Sequence, residues 1–147
     1  MADYAGAVAA IVARFRAQFV ACPVQFQNED PPAQPWPPQP AAPFAYVEVM
    51  QVETDTRGVG LPGSKTWLTR GLVVVNVFAP KGFGMAAHLS IAEAAGEVFR
   101  AATFYAADPG AKVECFAPSI KGGDSADDNG AYFVLQVSIP FHFYYVK

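Results

Sequence analysis

The sequence predicts an α+β fold in a single domain over residues 1–147: a mostly antiparallel four-stranded sheet, two helices packed on it, and a long hairpin between the first two strands. Three observations lead there. Helix-spaced apolar stretches open the chain and return near its middle, each followed by strand-like runs. The last stretch alternates apolar and polar residues up to the C-terminus. With 52% hydrophobic and 14% aromatic residues among 147, the chain is near the commonest domain size and can bury a sizeable core.

Asp3 stands where a helix N-cap is needed, and Tyr4, Val8, Ile11, Val12, Phe15 and Phe19 then fall on one helical face. Arg14, Arg16 and Gln18 lie largely on the other. The helix is expected to end near Val20, because Cys22 precedes Pro23 and the residue before a proline is pushed away from helical angles. A short extended piece, Val24 to Gln27, follows. Asn28 to Pro43 then holds prolines at 31, 32, 35, 37, 38, 40 and 43, so it must cross the surface in an extended path. Pro35-Trp36-Pro37-Pro38 contains fragments of a proline-rich recognition ligand. The reading we favour is a stiff connection whose Trp36 packs on its own domain.

Phe44 to Thr54 reads as the first long strand, and Lys65 to Ala79 as the second. The run Leu72-Val73-Val74-Val75 is apolar on both faces, which places the second strand centrally. Between them, Arg57 to Ser64 carries three glycines and Pro62, the composition of a hairpin tip. Pro80 to Gly84 breaks the pattern and leads to a second helix, Met85 to Thr103, with a buried stripe at Ile91, Ala92, Ala95, Val98, Phe99 and Ala102. Lys112 to Ala117 is a short third strand, and Lys121 to Gly130 reads as a polar loop. The fourth strand, Ala131 to Val146, puts Phe133, Leu135, Val137, Ile139, Phe141 and Phe143 on one face.

Residues for chemistry are scarce. A net charge of −3 with ten scattered Lys and Arg leaves no footprint for nucleic acid. Asp3, Arg14 and Arg16 interrupt any N-terminal signal, and no run approaches the ~18 apolar residues of a membrane span. The expectation is a soluble protein made in the bacterial cytoplasm, with Cys22 and Cys115 as free thiols. His88 and His142 have no sequence partners that suggest a catalytic or metal site. Asp124, Asp127 and Asp128 lack the alternating spacing and closing Glu of a calcium loop. Gly63-Ser64-Lys65-Thr66 reverses the order of a phosphate loop. No cofactor, metal or catalytic residue is expected.

The chain resembles the tail terminator proteins of long-tailed bacteriophages and of phage-like particles such as gene transfer agents and domesticated prophages. The resemblance is carried by Ile11-Val12-Ala13-Arg14-Phe15, by the proline-rich stretch running into Phe44-Ala45-Tyr46-Val47-Glu48-Val49, and by Arg70-Gly71-Leu72-Val73-Val74-Val75-Asn76-Val77-Phe78-Ala79-Pro80. Ala92-Glu93-Ala94-Ala95-Gly96-Glu97-Val98-Phe99-Arg100 and Ala131 to Phe141 complete it. It implies a non-enzymatic virion protein at the head–tail junction. Such a protein forms a homohexameric ring that caps the tail tube, ends its polymerisation and joins the neck or head-completion protein. The tail tube protein and neck protein are the implied partners, with no nucleic acid and no membrane. Another ring-forming component, a tube or head–tail connector protein, is the alternative within the same biology; a small Cys/His enzyme, and a host-encoded peptide-binding module using the proline-rich segment or an open sheet edge, are those outside it. In this setting the two polar loops are the expected assembly contacts, through Arg57, Val59, Leu61 and Lys65 in the first and Lys121, Asp124, Asp127 and Asp128 in the second.

Overall fold

The computed structural model describes residues 2–125 and 132–147. In chain order its elements are α1 (Tyr4–Gln18), β1 (Val24–Phe26), β2 (Phe44–Thr56), β3 (Thr66–Pro80), α2 (Ala86–Glu97), β4 (Thr103–Phe104), β5 (Lys112–Cys115), β6 (Ser119–Ser125) and β7 (Tyr132–Val146). The Asp3 carboxylate accepts from the Gly6 N–H at 2.7 Å, so the N-cap forms as its position in the sequence indicates.

The four-stranded sheet expected from the sequence is not what the chain forms. Seven strands make a mixed sheet curled into a half-barrel, in the order β1-β2-β3-β7-β5-β4, with β6 also paired to β7. The physical reasons are local. β1 is only three residues long but lies parallel to Ala45–Val47 at the margin of β2, which makes the sheet mixed. β4 adds two residues beside β5. β6 occupies part of the stretch read as a polar loop: Gly122 and Gly123 hide a strand whose register is imposed by β7. The second helix is also shorter than expected, ending at Glu97, and the chain turns through Val98 to Ala101 before β4.

β3 and β7 are the spine. Each has 15 residues, and they pair along their full length from Thr66 opposite Val146 to Pro80 opposite Tyr132. The helices cover one face of this spine. There Val73, Val75 and Val77 of β3 join Leu135, Val137, Ile139, Phe141 and Phe143 of β7, all buried. From above, α1 contributes Ala7, Ile11 and Phe15, and α2 contributes Ala92 and Ala95. Phe15 stacks on Phe99 with centroids 5.9 Å apart and meets the edge of Phe26 at 6.1 Å. The guanidinium of Arg14 donates from Nε to the Val98 carbonyl at 2.8 Å, fixing α1 against the end of α2. At Gly71 the backbone of β3 passes so close to Phe141 and to the Met50 carbonyl that a Cβ would meet both at 2.5 Å. The Phe141 ring takes the space a side chain would need.

No described helix lies on the opposite face of the sheet. At one end it is closed by the proline-rich crossing: Trp36 meets Phe44 edge-on at 5.0 Å, Phe44 stacks on Phe78 at 4.6 Å, and the Tyr132 hydroxyl donates to the Pro38 carbonyl. The crossing is therefore packed through its tryptophan. Towards the other end the face carries Met50, Leu72, Gln136, Pro140, His142 and Tyr144, half-buried or exposed. No described helix is long and apolar enough to cross a membrane.

Candidate assembly surface

The tip of the β2–β3 hairpin is a built turn. Its neck is held by the Arg57 N–H donating to the Thr66 carbonyl at 2.7 Å, and the turn by Ser64 N–H donating to the Leu61 carbonyl at 2.9 Å. Gly63 has φ +86°, a conformation that other residues adopt only with strain. Lys65 and Lys147 exchange backbone hydrogen bonds at 3.2 and 2.9 Å, which ties the tip to the C-terminus. Val59 and Leu61 project from this rigid neck, 110% and 78% exposed.

Below the tip, the β2 strand of the hairpin is bare on both faces, while its partner β3 buries Leu68 and Thr69. Every β2 residue from Met50 to Thr56 is exposed, including Val52. The same stretch carries Glu53 and Asp55, whose carboxylates both engage Arg70 of β3, the second at 3.3 Å. On the other surface Thr54 and Thr69 join hydroxyl to hydroxyl at 2.9 Å. Beyond strand pairing, the arm is held by the Arg70 ion pairs, the Thr54–Thr69 bond and the burial of Leu68 on β3.

The second expected contact region is placed differently. Lys121 is not in a loop: it lies on β6 opposite Gln136, and Asp124 is opposite Val134. Asp127 and Asp128 lie outside the described residues. The two regions are not neighbours. Arg57, Val59, Leu61 and Lys65 sit beyond the Thr66–Val146 end of the spine, whereas β6 runs beside Phe133–Ser138 near the other end.

Sequence reasoning missed an apolar cleft of about 340 Å³ at the start of α2, walled by Pro43, Ala79, Phe83, Ala87 and Ile91. Its only foretaste was Phe83 standing in a glycine-rich break. His88 borders the cleft, 3% exposed, with its Nε2 lacking a partner among the described residues. Burial holds its pKa below the usual imidazole value, so it is neutral at pH 7.

The other candidate reactive groups are structural in setting. Burial pushes the Cys22 thiol up to about 11 and Cys115 to about 12, the nearby Arg14 charge offsetting the latter only in part. Thiols with such values carry almost no thiolate at neutral pH. His142 packs edge-on to Phe116 at 4.7 Å, and its Nδ1 lies 3.3 Å from the Tyr144 hydroxyl. Burial, then the Arg70 charge, lower its pKa against the weaker pull of Glu114. No cluster of three His, Cys, Asp or Glu side chains suited to a metal exists among the described residues.

The fold has relatives among solved structures, of which 17 chains match. One of them superposes with a TM-score of 0.60 at 22% sequence identity, covering 90% of this chain and 92% of that one. At that identity the likeness speaks for the fold alone. No curated protein matches the sequence. The phage tail terminator protein family matches residues 7–141, from the first helix into the last strand, so the half-barrel with its bare arm is that of a phage tail structural protein: the chain belongs to the tail terminator family.

Proposed function

We propose that residues 1–147 act as one unit, copies of which form a hexameric ring on the end of the finished tail tube, stop its polymerisation and present a surface to the neck or head-completion protein. The observation that carries this reading is the arm. The β2 strand, exposed at every residue from Met50 to Thr56 and leading to a tip that carries Val59 and Leu61, has no covering element among the described residues. Exposed apolar side chains on a rigid projection are characteristic of surfaces that other chains cover. Membership of the tail terminator family supplies the class of partner, other tail components. The arm and tip are the contact to tube or neighbouring subunit in this proposal, with Arg57 and Lys65 flanking the apolar pair. Lys121, Asp124, Asp127 and Asp128 form the second contact region. The work is structural, and closed rotational symmetry lets one surface patch be used six times.

The test is a map of the intact particle. A sixfold ring of this chain at the head-proximal end of the tube is expected, with the 57–65 tip against protein. A single copy, a ring of another symmetry, or a location in the tube wall would overturn it.

A further inference from the structure

The half-barrel ends in two open edges, and they match. On one margin, β2 is covered by β1 only at Ala45–Val47, and the side chain of Gln27 accepts from the Val49 N–H at 3.2 Å. From Met50 to Thr56 its outer backbone groups meet no described strand. On the other margin β6 pairs with β7 on one side and with no described strand on the other. Unpaired strand edges are templates for another strand.

We propose that neighbouring copies in the ring join edge to edge, β6 of one copy lying antiparallel to the outer half of β2 of the next. This rests on the ring reading above and names its joint. Three observations carry it. The first is direction. β2, β3, β7 and β6 alternate in direction, each antiparallel to its neighbour. Continuing the sheet into a rotated second copy therefore sets β6 antiparallel to β2, the more stable pairing.

The second is charge. Glu53 pairs with Arg70, which is opposite His142, while Lys121 is opposite Gln136, itself opposite Asn76. All of these belong to the helix-free face. A continuous sheet keeps that face in common, so Lys121 of one copy comes beside Glu53 and Asp55 of the next. Lys121 is the one charged side chain among the described residues 119–122 of β6. On the helix-side face, Ile120, 37% exposed, comes beside Val52 and Thr54.

The third is stagger. The centre of the open β2 stretch is level with His142 and the centre of β6 with Gln136, an offset of about six residues, or roughly 20 Å along the strands. Four strand spacings per copy, counting the joint, measure roughly 19 Å across the sheet. Equal offset and width tilt the strands by roughly 45° to the ring axis, close to the tilt at which closed sheets settle. The same offset carries the 57–65 tip past the end of β6, beside β4 and Phe116 of the next copy, where Val59 and Leu61 are covered. Both edges contain a register shift, between Gln51 and Glu53 and between Gly122 and Asp124. Such bulges hold back indiscriminate pairing and leave the joint to form on the tube end.

The experiment assembles the full chain on purified tail tubes and treats the rings with a short bis-maleimide. In a chain carrying both Lys121→Cys and Glu53→Cys, a ladder of covalent species up to the hexamer is expected, with no ladder from either substitution alone. Separately, Lys121→Arg is expected to form rings like the wild type, and Lys121→Glu to lower the assembled fraction by about tenfold. Rings visible by native mass spectrometry that give no ladder, and that tolerate Lys121→Glu, would overturn the edge joint and leave the ring reading standing. Wild-type protein that caps tubes without forming rings would overturn both.

Discussion

The inner and outer halves of the β2–β3–β7 sheet are made from the same three strands in one continuous ladder, interrupted only by the bulge at Gln51/Glu53. On β2 the inner half is sealed and the outer half bare, whereas β3 and β7 bury Leu68, Phe141 and Phe143 beside that bare stretch. Inside, Val47, Val75 and Val137 sit in adjoining rows under α1 and α2 with no more than 1% exposure. Outside, Val52, Glu53, Asp55 and Thr56 of β2 meet solvent. The comparison separates two jobs that sheets usually do together. Hydrogen bonding sets the shape of both halves, but along β2 only the inner half converts shape into stability by removing apolar surface from water. The outer stretch of β2 holds its form without contributing much burial, and that leaves its surface available to another chain.

The strongest way to break the comparison is to put a charge into each half. Val137→Asp should cost roughly 3–5 kcal/mol, because an unpaired carboxylate would replace a fully buried methyl pair. Val52→Asp should stay within about 0.5 kcal/mol. Urea midpoints measure both, and equal losses would mean that the arm is packed after all. The boundary itself can be probed at Gly71. Alanine there collides with the Phe141 ring and the Met50 carbonyl, for an expected loss of about 1–3 kcal/mol in the same titration.

A smaller effect is expected from pH, through the buried His88 and the half-buried His142. The folded-state pKa of His88 lies below its ordinary value of 6.5, so between the two values the unfolded chain binds more protons. Stability should be undiminished above about pH 6.5 and fall as the pH drops from there towards the folded value. His88→Leu should flatten part of that fall, leaving the share due to His142, whose pKa is also lowered. An unchanged slope between pH 7 and 5 would show that His88 is solvated. The smallest effect on the fold should come from deleting Val59–Gly63, since the Arg57–Thr66 neck bond remains. The midpoint should move little, yet particles should carry tails of abnormal length or tails without heads. Normal tails from a normally folded deletion protein would reduce the tip to a connection.

Much of the sealed half was legible in the residues. Asp3 as a cap, the Phe15 stripe, and the alternation Leu135 to Phe143 each follow from a period that a helix or strand must show when one face is buried. The second helix was overextended to Thr103, because Val98, Phe99 and Ala102 are buried whether helical or in the turn that follows. β6 could not be read. Its Ser-Ile-Lys-Gly-Gly-Asp-Ser composition has no hydrophobic period and weak strand propensity. It is a strand because β7 offers it a ladder. The assembly residues fared likewise: Val59 and Leu61 were visible as apolar residues in a glycine-rich tip, but the acidic edge of β2, Lys121 opposite Gln136 and the cleft at Phe83 required coordinates.

What the sequence by itself determined, then, is the set of segments that must hide an apolar face. The resemblance it carried also named the family. What only the tertiary structure decided is how many strands join the sheet, which edges stay open, and which charges share a face. The reason is physical. Burial of one's own side chains leaves a local period in the sequence, whereas strand order, edge exposure and cross-strand register depend on backbone pairing with residues far away in the chain, and leave none.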